Sequence, residues 1–313
     1  MTAVHEWVAR ESYYAPRNRI VYVPTPKVAC TSIKNALVQA EDAWLRTESP
    51  TSLRQSGSSL HRRETHSLGS VADLAPERLE EILHDPDWIR FCVTRRPYER
   101  LASAWVEKIL LTDPALPAEF QTLTVANRTP AVGSHFREFV RGLGNGTNKA
   151  LDDPHFSPQS TLLDVEGFAY THVLDLSELG GFAEWIRTTD ESRQGFDLGP
   201  ARNQSIKVPL RAMYDRQTAE IVDDLYRTDF GILDYEHETF GDEPDAFELT
   251  SNEFLMVERI VSLRARAHET DSGRWERLAK RRTGARYGVG EVVKSAARGL
   301  RRIDRRGRTP NPG

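Results

Sequence analysis

Residues 19–37, RIVYVPTPKVACTSIKNAL, decide how the rest of the chain is read. Ile20-Val21-Tyr22-Val23 is a short run of β-branched and aromatic residues, which predicts a buried strand. Pro24 and Pro26 end it, because proline has no N–H to give a sheet ladder. Beyond the loop, Ile33, Ala36, Leu37, Ala40 and Trp44 recur at helical spacing, with Thr31 or Ser32 as candidate N-caps. The unit is therefore strand, tight loop, helix, with Lys27 in the loop. A helix N-terminus presents unpaired N–H groups and partial positive charge, so such a unit suits a phosphate-like anion. Lys27 adds a full charge, and Thr31 and Ser32 add hydroxyl donors. The same residues also suit a plain strand–helix connection with an exposed lysine. The loop has no glycine, which sets it apart from the GxxxxGK[ST] pattern of nucleoside triphosphate sites.

A second unit of the same kind follows. WIRFCVT, residues 88–94, predicts another strand, and RRPYERLASAWVEKIL predicts a helix with Pro97 in its first turn, where proline is tolerated. Leu101, Ala104, Trp105 and Ile109 give that helix an apolar face. Arg95 sits at the strand end, while Arg96, Arg100 and Ser103 share a side of the helix by their spacing. Guanidinium groups beside a hydroxyl suit a phosphate dianion, since each guanidinium donates two parallel charge-assisted bonds.

Composition narrows the function classes. The 313 residues are 39% hydrophobic and 28% charged, as in soluble globular proteins, and are enough for a substantial core. The net charge is −4, yet Arg274–Arg308 holds 13 basic and 3 acidic residues, leaving −14 on the remainder. A nucleic-acid binder is disfavoured, although the tail suits an anionic surface. The two cysteines, Cys30 and Cys92, make neither a disulfide framework nor a CxxC metal pattern, and no acidic pattern is built for a metal. No run of about 18 apolar residues spans a membrane.

Taken together, PKVACTSIK and the later Arg-x-Pro…Arg-Leu-x-Ser resemble the two donor-binding motifs of the carbohydrate sulfotransferases, the Golgi-type branch called sulfotransferase family 2. The resemblance covers about residues 19–236 and implies an α/β fold: a central parallel sheet flanked by helices, P-loop-NTPase-like, with a helical C-terminal extension. It implies 3′-phosphoadenosine 5′-phosphosulfate (PAPS) as co-substrate without a metal. Lys27, Val28, Ala29, Cys30, Thr31 and Ser32 would hold the 5′-phosphosulfate, and Arg95 and Ser103 the 3′-phosphate, with Lys108 matching the lysine that closes the motif. The implied reaction is in-line sulfuryl transfer to a carbohydrate or glycolipid hydroxyl, with Lys27 at the leaving oxygen. A histidine suits the base, His66 first and His155 second. His155 lies in PHFSPQ, which resembles a His-aromatic-x-x-Gln segment of the family. Asn203 and Ser205 resemble a further short nucleotide segment, and Tyr226, Asp229 and Phe230 its closing Leu-Tyr-x-x-Asp-Phe. A further strand, predicted over Tyr170–Leu176, ends in Leu174-Asp175 where the family has Tyr-Glu, and Thr25-Pro26 lengthens the loop before Lys27. Animal members carry a membrane anchor, so a cytoplasmic, bacterial relative is expected.

The remaining organisation reads as a lead-in over 1–18, the sulfotransferase domain over 19–236, an acidic linker over 237–249 and a C-terminal helix and basic tail over 250–313. Helices are expected over Pro76–His84, Phe136–Leu143, Ser177–Arg187 with Ser177 as N-cap, and Arg211–Leu233. The basic tail 274–308 has helical apolar spacing, which suits peripheral contact with the inner membrane face or packing in a homodimer. Two other functions compete. One is a nucleotide-dependent kinase on a related fold, and the other a non-catalytic nucleotide-binding, membrane-associated protein.

Overall fold

The computed structural model describes residues 5–42, 68–113, 128–199 and 206–268. Among them a four-stranded sheet runs in spatial order β1 (Tyr13–Ala15), β2 (Ile20–Val23), β3 (Ile89–Thr94), β4 (His172–Asp175). β2, β3 and β4 are parallel, in register Ile20 to Ile89 and Phe91 to His172. β1 joins β2 antiparallel, Tyr13 opposite Tyr22, so the expected lead-in supplies an edge strand and the sheet is mixed rather than wholly parallel.

Strand periodicity divides the core in two. Ile20, Tyr22, Phe91 and Val93 face one side, where they meet Ile33, Ala36 and Leu37 of the helix α2 (Cys30–Glu41). Val21, Val23 and Cys92 face the other, against Val8 of the first helix, α1 (Glu6–Glu11), and Ile82 of α3 (Pro76–His84). Both faces are covered, which is why β2 reads as an unbroken apolar run and β3 is buried throughout, its Arg90 and Thr94 included.

Beyond β3, α4 (Pro97–Trp105) continues into a π-helical turn, Val106–Leu110. The expected 136–143 helix is α5 (Val132–Gly144), and α6 (Gln159–Leu163) precedes β4. After β4, a 3₁₀ turn over Leu176–Glu178 is capped by Asp175, whose carboxylate accepts the Ser177 N–H. Helix α7 (Leu179–Thr189) therefore starts later than expected, with Ser177 as a member of the turn and Asp175 as its cap. The expected continuous helix 211–233 is three pieces: α8 (Leu210–Met213), α9 (Arg216–Leu225) and α10 (Arg227–Ile232). Asp215 imposes the first break, since its side chain caps α9 by accepting the Thr218 N–H at 2.8 Å. Gly133 lets α5 and α8 touch, because a Cβ there would lie 2.3 Å from the Ala212 carbonyl oxygen.

An aromatic cluster fills the space beside α4. Tyr98 packs on Tyr214, Phe230 and Phe240 with ring centroids 5.3–5.5 Å apart. Phe240 belongs to the segment expected to be an acidic linker. Phe240 and Leu249 are both buried, and the chain between them is tied down by backbone bonds such as Asp245 N–H to the Arg211 carbonyl.

The chain divides into compact units Met1–Val257 and Glu258–Gly313. Of the second, residues 258–268 are described and are helical. The basic tail 274–308 lies outside the described residues, and no described helix is long and apolar enough to cross a membrane.

Phe240→Ala is expected to cost about 3–5 kcal/mol in urea denaturation, as for other buried aromatic truncations. Leu255→Ala, at a side chain 65% exposed, should change stability by no more than about 0.5 kcal/mol. Equal effects would mean that 237–249 does not pack as described.

Candidate functional site

Three chain segments meet at the carboxyl ends of the parallel strands, where open α/β sheets bind ligands. The first is the loop from Pro24 to Ala29. Lys27 (φ 75°) and Ala29 (φ 59°) are both left-handed, a conformation that costs an L-residue roughly 1–2 kcal/mol. Alternating backbone of this kind turns N–H groups into a concavity suited to an anion. The N-cap of α2 is Ala29 itself, with no side-chain cap, so Thr31 and Ser32 are half-buried in the first turn rather than capping it. Val28 is fully buried, Cys30 is partly exposed, and Lys27 forms an ion pair with Glu107 of the π turn.

The second segment is the end of β3 with α4. The Arg95 guanidinium holds Glu99 at 3.0 Å, and Arg96 holds Glu238 at 3.0 Å. Ser103 is half-buried on α4. Arg100, read as part of a phosphate fork, instead turns inward and is 1% exposed. It donates to the carbonyl oxygens of Pro26 at 3.1 Å, Ser157 at 2.7 Å and Pro154 at 2.9 Å. A guanidinium occupied by three backbone oxygens is a brace between loops. Lys108, one residue after Glu107, pairs with Asp113 at 2.6 Å.

The third segment is the 153–160 loop. The Asp153 carboxylate accepts the His155 backbone N–H at 2.8 Å and contacts its Nδ1 at 2.7 Å. With Nδ1–H as donor, Nε2 is left as the basic nitrogen. Burial lowers the His155 pKa, and Lys108 and Lys27 add to this, while Asp153 pulls the other way. Both lysines are therefore within electrostatic reach of the imidazole. Burial alone would raise Asp153, but the His155 hydrogen bonds and Lys108 outweigh it and hold the carboxyl below its ordinary value. Behind the loop, Tyr226 donates to the Phe156 carbonyl at 2.5 Å. The fully buried Asp229 accepts the N–H groups of Gln159 and Ser160 at 2.8 and 2.7 Å. The Tyr-x-x-Asp pair is thus the support of the His155 loop.

The structure brings Lys27, Lys108 and the Asp153–His155 pair within electrostatic reach of one another, and Arg95 is tied to the same 153–160 loop through Gln159. His66, Asn203 and Ser205 lie outside the described residues. Glu107 and Asp153 were not singled out from sequence; the only signal for Asp153 was its place two residues before His155. Among the described residues no group of three or more His, Cys, Asp or Glu is placed to hold a metal ion.

A family model described as "Sulfotransferase family" matches residues 10–236. Carbohydrate sulfotransferase 10 of Xenopus laevis is 26% identical over 160 residues, 48% of this chain and 43% of that protein. The Gallus gallus and Homo sapiens proteins of that name are each 26% identical over 159 residues, 48% of this chain and 42% of theirs. The matches therefore span less than half the length of these relatives. No solved structure matches the chain.

Arg100→Met leaves one buried and two half-buried carbonyls without the Arg100 donor and is expected to cost about 3 kcal/mol in urea denaturation. Arg100→Lys, which cannot fork, should recover less than half of that. A loss below about 0.5 kcal/mol in Arg100→Met would contradict the brace.

Proposed function

The chain belongs to the sulfotransferase family, and from that premise we propose that it moves the sulfuryl group of PAPS to a hydroxyl of a carbohydrate or glycolipid by in-line transfer with a histidine base. The observation that carries the reading is the convergence of Lys27, in an anion-shaped loop at the start of α2, with the Asp153–His155 pair. The printed name of the relatives supports a carbohydrate acceptor.

In this reading the loop N–H groups and the hydroxyls of Thr31 and Ser32 hold the 5′-phosphosulfate, and Arg95 and Ser103 take the 3′-phosphate. The bond from sulfur to the bridging oxygen breaks as the acceptor oxygen bonds to sulfur. Lys27 stabilises the charge left on the phosphate, and fixed positive charge of this kind needs no reorganisation during the step. The acceptor proton passes to Nε2 of His155. The contact of His155 with Asp153 supports it in that role; His66, the first candidate from the sequence, lies outside the described residues, and replacing each in turn decides between them. A kinase reading has no comparable support, since the loop lacks the triphosphate-binding glycines. We further propose that the tail 274–308 draws a cytoplasmic enzyme to an anionic membrane face.

The test is transfer of labelled sulfate from PAPS to carbohydrate acceptors. Lys27→Ala should lower kcat about 10²–10³-fold, while adenosine 3′,5′-bisphosphate still binds. His155→Ala should lower turnover about 10²–10⁴-fold; if only His66→Ala does so, the base assignment moves to His66. A stronger thermal shift with Mg·ATP than with adenosine 3′,5′-bisphosphate would sink the sulfuryl-transfer reading.

The pH profile gives a separate check. The base must be neutral, and its pKa is depressed, so kcat/KM should hold its plateau to below the ordinary histidine range near 6.5 and fall beneath it. Asp153 raises the His155 pKa, so Asp153→Asn removes that effect and should move the acid limb to lower pH, with a smaller kcat. An acid limb that moves upward would contradict the pairing.

A further inference from the structure

Arg95 stands one residue past the end of β3, where the β3–β4 ladder has closed with Thr94 opposite Asp175. Its backbone has another partner. The side-chain amide of Gln159 lies against it, Oε1 accepting the Arg95 N–H at 3.0 Å and Nε2 donating to the Arg95 carbonyl at 2.8 Å. One carboxamide thus satisfies both main-chain groups of Arg95, as a neighbouring strand would.

Gln159 is itself fully buried and held from behind. Its backbone N–H reaches Asp229 Oδ2 at 2.8 Å, and Nε2 lies 3.4 Å from the same oxygen. A carboxylate there favours the NH₂ end of the amide, which fixes the orientation that also suits Arg95. The guanidinium is steadied separately by Glu99. The backbone and the side chain of Arg95 are therefore set by two different residues.

We propose that Gln159 is a positioning residue for Arg95, fixing the arginine's main chain so that its guanidinium meets the donor's 3′-phosphate. The inference rests on the reading above in which Arg95 holds that phosphate. Bidentate phosphate recognition depends on geometry, and a displacement of an ångström can be as damaging as loss of a contact. A Gln159 that only braced the fold would act on every ligand alike; one that sets Arg95 acts on the 3′-phosphate alone.

The experiment compares adenosine 3′,5′-bisphosphate with adenosine 5′-monophosphate by calorimetry on the full chain. The readout is the ratio of the two Kd values in wild type, Gln159→Met, Gln159→Asn and Arg95→Ala. Gln159→Met keeps the length and removes both hydrogen bonds. It should cut the preference for the 3′-phosphorylated ligand about tenfold or more, with the monophosphate Kd nearly unchanged. Gln159→Asn, too short to reach both groups, should move the ratio the same way. A collapsed ratio in Arg95→Ala beside an unchanged one in the Gln159 variants would overturn the inference alone. An unchanged ratio in Arg95→Ala would overturn the assignment of Arg95, and the inference with it. Equal weakening of both ligands, or failure of both Gln159 variants to fold, would also overturn it, since the amide would then serve the fold and not the arginine.

Discussion

Three backbone carbonyls, of Pro26, Pro154 and Ser157, converge on one buried guanidinium, that of Arg100. Among the described residues none of the three has a strand or helix partner, and a buried carbonyl without a donor is costly. Arginine suits the role because its planar fork sends hydrogens in several fixed directions, whereas lysine offers one compact charge. Burying the charge carries its own penalty, which lowers the pKa, and the nearby Asp229 carboxylate offsets part of it. The result ties the Lys27 loop to the His155 loop across 74 and 57 residues from Arg100. Arg90 and Arg193 act similarly elsewhere, donating to the carbonyls of Ile82 and Asn18.

The loop that Arg100 braces is itself under strain. Two left-handed L-residues with one residue between them would relax if the surroundings allowed, so the conformation depends on outside contacts. Trp7 donates to the Pro24 carbonyl at 3.1 Å, and Arg100 takes that of Pro26. Glycine would remove the strain but would also leave the loop free in the unfolded chain. A glycine-free loop held from two sides is stiffer than a glycine-rich one. The cations around it are paired with carboxylates: Lys27 with Glu107, Arg95 with Glu99, Lys108 with Asp113. In the proposed reading, an anion entering here would compete with those carboxylates, which would set a threshold against weakly charged ligands.

The sheet was legible because its signals are local. The apolar run at 20–23, the largely apolar stretch 89–93 with Arg90 inside it, and the prolines after the first are enough to place β2 and β3. The loop between β2 and α2 and the Arg95 end of β3 could be located for the same reason. Helix starts were less legible, because Ala29 reaches a left-handed cap through its loop and not through a capping side chain. The π turn that brings Glu107 to Lys27 has no local code. Helical spacing placed Arg100 beside Arg96 and Ser103, but spacing cannot say that one guanidinium turns inward. That depends on Pro154 and Ser157, which are brought there by the fold.

The late part of the domain explains why the site resists local reading. Tyr226 and Asp229 hold the loop of His155 about 70 residues after it in the chain. Tyr235, its hydroxyl kept protonated chiefly by burial, donates to Asp175 at 2.9 Å and meets Thr94 at 2.8 Å. The ends of β3 and β4 are thereby joined by a residue from neither strand. Each of these bonds closes a long loop, so its entropic cost is met only once the core has formed. The aromatic packing of Tyr98 on Tyr214, Phe230 and Phe240 supplies such a core beside α4. A substitution among those rings would therefore act on the His155 loop without touching it, by loosening the helices that carry Tyr226 and Asp229.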